Sequence, residues 1–212
     1  MRKSSLDRFD GIVYLNLARR PDRRKQIEQE LEKLAVPKEK FYRIEAHLDE
    51  LNGTRGCVLS HLDALSLALE EGWESILILE DDCLFIKDLE KINTYIDGFF
   101  DHFGENWDVF FLGTDVILSD KTAHPEYLRV IFSMLAHSYV VHGPYIEKLW
   151  DLYAETYRSM ASDIFYRTAL KKALDRKWAD LQSADRWYVG VDMITRQGAC
   201  FSDIEKSKKP RR

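Results

Sequence analysis

Several features that would place this chain in a familiar class are missing. Three cysteines occur in 212 residues, Cys57, Cys83 and Cys200, and no pair has CxxC spacing. That excludes a disulfide scaffold, shows no zinc-motif pattern and leaves reduced thiols that behave as small hydrophobes. No apolar run approaches the ~20 residues that span a bilayer. The first apolar stretch, Gly11–Leu17, is short and runs into Ala18-Arg19-Arg20-Pro21. No secretory leader is read there, so the expected compartment is the cytoplasm. GxGxxG and GxxxxGK[ST] are both absent, which removes the dinucleotide fingerprint and the P-loop. No hydrolase spacing of Ser, His and Asp or of Cys and His is legible. Positive charge is also short: 31 Lys and Arg stand against 36 Asp and Glu, a net −5. That is the wrong sign for a chain-wide nucleic-acid binder, so no nucleic-acid partner is expected. The exception is the tail, Lys206-Ser-Lys-Lys-Pro-Arg-Arg212. Such a block reads either as a solvated, disordered terminus or as a peripheral contact with an anionic inner-membrane surface.

What is present is an ordinary soluble composition, 45% apolar and 32% charged, in a chain long enough to build its own core. Gly11–Leu17 reads as a buried strand opening a βα unit, with Pro21 suited to the first turn of the helix. Ile27, Leu31, Leu34 and Ala35 continue that helix at i, i+4, i+7 and i+8. Phe41–Ala46 is a short strand. Leu59, Leu62, Leu65 and Leu69 line one face of a helix ending at Gly72. Ser75–Leu79 is an apolar strand of the parallel-sheet kind, and Trp107–Leu112 is another. Leu135–Val141 reads as a strand, and Pro144 starts a helix carrying Ile146, Leu149, Tyr153 and Tyr157. A further helix is expected over about Ser162–Trp178 and a last strand over Trp187–Val191. Residues 113–134 show turn residues and no period. Strands alternating with helices predict a three-layer α/β/α sandwich with a mostly parallel central sheet. One domain over 1–205 with a basic tail at 206–212 is the expected organisation.

The most informative local feature is Glu80-Asp81-Asp82, directly after an apolar strand. Open α/β sheets bind ligands beyond the carboxyl ends of their strands. On an extended chain residues 80 and 82 face one side and 81 the other. Glu80 and Asp82 therefore form a candidate site for one hard cation, Mg2+ or Mn2+, which prefers oxygen ligands and bridges carboxylates to diphosphates. Asp81 is placed to accept a hydrogen bond from a sugar hydroxyl. The alternative is a solvated strand end. Asn16, with Arg19, Arg20, Arg23 and Arg24 behind it, is either a phosphate-gripping loop or a basic helix start. Ser60 is a candidate helix cap and His61 a structural histidine or a site residue. His137 or His142 could reach the cation. Asp163 reads as a helix N-cap or as a general base. Gln197 and Ser202-Asp203 lie in a polar, glycine-containing segment.

Taken in order, these segments resemble glycosyltransferase family 25, the lipopolysaccharide and lipooligosaccharide sugar transferases related to procollagen galactosyltransferases. Tyr14-Leu-Asn-Leu-Ala-Arg-Arg-Pro-Asp-Arg-Arg24 is similar to the family's opening segment, Gly56-Cys-Val-Leu-Ser-His61 to its GCxxSH motif, and Ile78-Leu-Glu-Asp-Asp82 to its LEDD strand end. Trp107–Gly113 resembles its later WDxxxLG strand, and His137-Ser-Tyr-Val-Val and Ser202-Asp-Ile-Glu205 fit more loosely. Thr54-Arg55 stand where the family usually has an acidic and an aliphatic residue. The resemblance implies a GT-A-type fold and inverting, metal-assisted transfer of a hexose from a nucleotide-sugar donor, UDP-galactose by default. The implied acceptor is a saccharide or lipid-linked saccharide. By motif position Asp82, with Glu80 alongside, would hold the metal. Asn16, Arg19, Arg23, Ser60, His61, Asp81 and Asp203 would hold the donor, and Asp163 would be the base.

Overall fold

A computed structural model describes residues 4–160 and 173–198, together with the backbone of the short strands at 201–202 and 207–208. The principal strands are β1 (Gly11–Asn16), β2 (Phe41–Glu45), β3 (Ser75–Glu80), β4 (Cys83–Phe85), β5 (Val109–Lys121), β6 (Tyr127–His142), β7 (Trp187–Gly190) and β8 (Thr195–Gln197). The long helices are α1 (Pro21–Lys33), α2 (Gly53–Glu70), α3 (Leu89–Phe103) and α4 (Gly143–Met160), followed by short helices at Leu174–Lys177 and Ala179–Ala184. Six strands form one sheet in the order β2-β1-β3-β6-β5-β7. Within it β1, β2, β3, β5 and β7 run in one direction and β6 opposes them.

β1, β3 and the start of β5 are apolar at nearly every position because both faces of the sheet are covered there, whereas edge strand β2, Phe-Tyr-Arg-Ile-Glu, is only half-buried. Alternate residues enter two separate cores. Val13, Leu15, Ile76, Ile78, Val109 and Phe111 pack on one face against α2, α4 and Trp178. Ile12, Tyr14, Leu77, Leu79, Phe110 and Leu112 pack on the other against α1 and α3. This is the sequence signature of a parallel-type sheet, two apolar periods interleaved into one continuous run. Phe99 of α3 stacks on Phe110 with 3.7 Å between ring centroids and 4° between planes. Across the other face, Trp150 of α4 donates its indole N–H to Ser66 of α2 at 2.8 Å.

Two expectations change, and one element is added. Residues 113–134, read as aperiodic, belong to a long hairpin in which β5 runs to Lys121 and β6 begins at Tyr127. Register shifts between Phe111 and Gly113, Gly113 and Asp115, Val116 and Leu118, and Leu118 and Ser119 break the two-residue alternation that would have shown it. Second, α2 begins at Gly53, not near Ser60. Its cap is Asn52, whose side chain accepts from the Arg55 amide at 3.1 Å, so Ser60 is not an N-cap. In addition, β4 pairs antiparallel with β8, a small ribbon with no clear sequence signal. Much of the helix expected over Ser162–Trp178 lies outside the described residues. Its far end is helical at Leu174–Lys177 and leads into the fully buried Trp178.

Truncating Phe99, which is 0% exposed and stacked on Phe110, removes a ring from the packed core and leaves a cavity. Phe99→Ala is expected to lower unfolding free energy by roughly 3–5 kcal/mol, read by urea denaturation, with an unchanged circular-dichroism spectrum below the transition.

Candidate active site

β1, β2 and β3 all end at the same edge of the sheet, and a cleft of about 210 Å³ opens there. Its walls come from the turn after β3, the first turns of α2, the loop 46–49, Leu135 and Ala136 of β6, and residues 173–175. Segments far apart in sequence therefore meet in one place.

The turn after β3 is held from below. Asp81 is 6% exposed, and its carboxylate accepts from the Asn16 side-chain amide at 2.8 Å and from an Arg23 guanidinium nitrogen at 2.9 Å. Asn16 itself is 1% exposed, donates also to the Arg20 carbonyl at 3.0 Å, and accepts from Arg43 of β2 at 3.3 Å. Burial pushes the Asp81 carboxyl above the usual range, against the pull of Arg23 and Asn16. Arg23 also reaches Asp82 at 3.7 Å. The expected alternation, with Asp81 turned away from Glu80 and Asp82, therefore does not hold: the strand ends at Glu80, the chain turns, and all three carboxylates line the cleft. Asp82 is further tied to the β4–β8 ribbon, where Gln197 donates to its carboxylate at 3.3 Å and the Gly198 amide to its carbonyl at 2.7 Å.

On the α2 wall, Ser60 donates to the Gly56 carbonyl and accepts from the His47 amide, both at 2.8 Å, and so anchors the loop over the helix. A Cβ on Gly56 would collide with the His47 carbonyl, which explains the glycine of the Gly56–His61 segment. Arg55 pairs with Asp49 of that loop at 2.5 Å, and Thr54 is buried in the cleft wall. His61 is 0% exposed, with Nδ1 2.8 Å from the Tyr139 hydroxyl and Nε2 3.5 Å from Glu80 Oε1.

Other sequence candidates are distributed differently. Arg19 is exposed in the turn before α1 and does not line the cleft. His142 pairs in register with Ser75, at the opposite end of β3 from Glu80, and stacks on Trp107, so it cannot reach a cation at the acidic turn. His137 sits near that turn, since its neighbour Ser138 pairs with Leu79. It is 2% exposed, and neither ring nitrogen has a hydrogen bond among the described residues. Asp163 and Asp203 lie outside the described residues.

Sequence reading missed Asp49, Asp175 and Leu135. Leu135 has φ +75°, a left-handed conformation in a strand, and its amide donates to Asp175 at 3.1 Å. Strain of this kind costs on the order of 1–3 kcal/mol and persists where surrounding contacts over-determine it. Among the described residues, five that line the cleft are carboxylates, Asp49, Glu80, Asp81, Asp82 and Asp175, against one guanidinium, Arg23. The wall is thus an oxygen-rich, anionic surface whose chemistry suits a hard cation.

Two outcomes follow from the buried charges. Arg23→Leu leaves Asp81 buried without its cation and is expected to cost about 3 kcal/mol in denaturant unfolding at pH 7, part of it recovered by adding Asp81→Asn. For His137, burial lowers the pKa from 6.5 to about 4. The unfolded chain then takes up a proton that the folded chain refuses. Its stability contribution is complete above pH 6.5 and declines by ~3 kcal/mol as pH falls towards 4. His137→Gln is expected to remove that slope when the two unfolding curves are compared over this window.

No protein-family model matches the chain, and no curated protein matches it. Among solved structures it is similar to a mannose-1-phosphate geranyltransferase from Thermus thermophilus, at 14% identity over 85% of this chain and 72% of that one, with a TM-score of 0.49. It is also similar to a glycosyltransferase involved in glycosylation of the major capsid of PBCV-1, at 14% identity over 92% and 95% of the two chains, with a TM-score of 0.45. An apo UDP-glucose pyrophosphorylase aligns at 11% identity over 85% and 72%, with a TM-score of 0.43.

Proposed function

We propose that the protein is a glycosyltransferase that moves a hexose, by default galactose, from a nucleotide-sugar donor to a saccharide acceptor of the surface-glycan type. The observation that carries this reading is convergence. Asn16 and Arg23, the Gly56–His61 segment and Glu80-Asp81-Asp82 all meet at one cleft edge. These are the segments whose sequence resembles family 25.

The electrostatics of the wall support a cation requirement. A diphosphate brought against this carboxylate-rich surface is repelled unless positive charge comes with it. Asp82, with Glu80 alongside, is the pair proposed to hold Mn2+ or Mg2+, which would supply Lewis-acid charge neutralisation for a leaving diphosphate. Arg23, already between Asp81 and Asp82, adds a fixed cationic fork. The Asn16 hydrogen bond fixes the orientation of the Asp81 carboxyl, which is proposed to accept from a donor hydroxyl, and Ser60 and Gly56 hold the loop proposed to cover the donor side. In an inverting displacement a base takes the acceptor-hydroxyl proton on the face opposite the leaving group; Asp163 is proposed for that step. The basic tail is proposed to bring the enzyme to an anionic membrane surface carrying a lipid-linked acceptor.

The test is nucleotide release from a panel of nucleotide sugars, with and without manganese. Metal-dependent release from one donor is expected, with Asp82→Ala reducing it at least a hundredfold while the circular-dichroism spectrum is retained. Asp163→Asn is expected to lower turnover far more than donor affinity. Donor binding without turnover in the presence of saccharide acceptors would instead favour a binding-only relative, and near-normal activity in Asp82→Ala would remove the metal assignment.

A further inference from the structure

The same cleft contains a donor set of a different kind. Cys57 and His61 stand four residues apart on α2, so their side chains share one face of the helix. The end of β3 brings Glu80 to that face. One ligand atom each from Cys57, His61 and Glu80 lie within 4.8 Å of one another. The three donors are sulfur, nitrogen and oxygen, rather than oxygen alone.

His61 supplies the second observation. It is 0% exposed, and its Nε2 has no hydrogen bond among the described residues although the ring is fully buried. The other ring nitrogen is engaged by the Tyr139 hydroxyl, which lies 3.3 Å from the hydroxyl of Tyr153. With the ring proton on Nδ1 and donated to Tyr139, Nε2 turns a lone pair towards Glu80 Oε1 at 3.5 Å. Two lone-pair donors facing each other, one on a fully buried ring and one on a partly buried carboxylate, repel unless a proton or a cation lies between them. A histidine oriented through its second nitrogen is also the usual support for a metal-bound imidazole.

Distances agree with this chemistry. Bond lengths around tetrahedral zinc put neighbouring ligand atoms roughly 3.3–3.6 Å apart. The His61–Glu80 pair at 3.5 Å is already at that spacing. Cys57 needs about an ångström of closure at most, within reach of a half-buried side chain.

We propose that Cys57, His61 and Glu80 bind one divalent cation of the zinc class, leaving a fourth position open to the cleft. Thiolate and imidazole select a borderline-soft ion over magnesium, and three protein ligands with an open position differ from a closed structural site. Binding releases the Cys57 thiol proton to solvent, because the thiolate is the ligand. Sequence spacing gives no zinc motif because the first two ligands lie on helix α2 and the third arrives from strand β3. Glu80 alone is common to this site and to the carboxylate pair proposed for manganese, so the two assignments fail separately: Cys57→Ser addresses one and Asp82→Ala the other.

The experiment is titration of the metal-free full chain with Co2+ under reducing conditions, followed by competition with Zn2+. One equivalent of cobalt is expected to produce a thiolate-to-cobalt charge-transfer band and the intense visible bands of a four-coordinate ion, both displaced by zinc. Cys57→Ser, a one-atom change at a half-buried position, is expected to abolish the charge-transfer band and weaken zinc binding by on the order of tenfold or more. Glu80→Gln is expected to weaken zinc binding while keeping that band. Cys83→Ala and Cys200→Ser are expected to leave it intact. Absence of a thiolate band at one equivalent, or its survival in Cys57→Ser, would overturn the site, with circular dichroism verifying that each variant is folded.

Discussion

Strands covered on both faces, as β1 and β3 are, hold no charge before their ends, and this constraint organises the rest of the molecule. The apolar side chains of β1 and the middle of β3 are all committed to one of two cores. Polar chemistry is therefore displaced to the strand ends. Because β1, β2 and β3 are parallel and in register, their ends coincide, and Asn16, Glu45 and Glu80 terminate at one edge. The cleft lies where the apolar runs of β1 and β3 stop beside the end of the half-buried β2.

Charge at that edge is then arranged by burial. Asp81 is drawn in among hydrogen-bond partners, and it joins β1, α1 and the end of β3 through Asn16 and Arg23. A buried carboxylate with only one partner would be neutral or destabilising; two donors, one of them cationic, support its ionised form. Glu80 and Asp82, on either side, face different neighbours. Glu80 turns to the α2 wall and His61, while Asp82 lies beside Arg23 and Gln197. Three adjacent carboxylates thus have three different environments.

The rim is shaped by backbone constraints more than by side-chain bulk. Gly56 lets the loop at His47 lie directly on α2, Ser60 ties it there, and the Arg55–Asp49 pair closes it. Opposite, the left-handed Leu135 is held by the Asp175 carboxylate. Both devices bring carboxylates to the cleft from segments with no apolar period of their own. They make the anionic character of the wall a property of the assembled edge and not of one acidic motif.

The apolar runs, the helix periods and the abrupt stop at Glu80 were legible in the sequence because burial acts locally and repeats along the chain. They determined the layered α/β class and the acidic turn. The long hairpin was hidden, since register shifts erase alternation, and so was the β4–β8 ribbon that brings Gln197 to Asp82. Ser60 illustrates the limit: a serine near a helix start reads as a cap, yet Asn52 lies one turn before Gly56 and caps α2 instead. Only the tertiary structure decided which carboxylates share a wall, that His142 lies at the far end of the sheet from them, and that Cys57, His61 and Glu80 come within ligand distance. The physical reason is that periodicity records which face of its own element a residue occupies, while the distance between residues on different elements is set by how strands pair and helices pack.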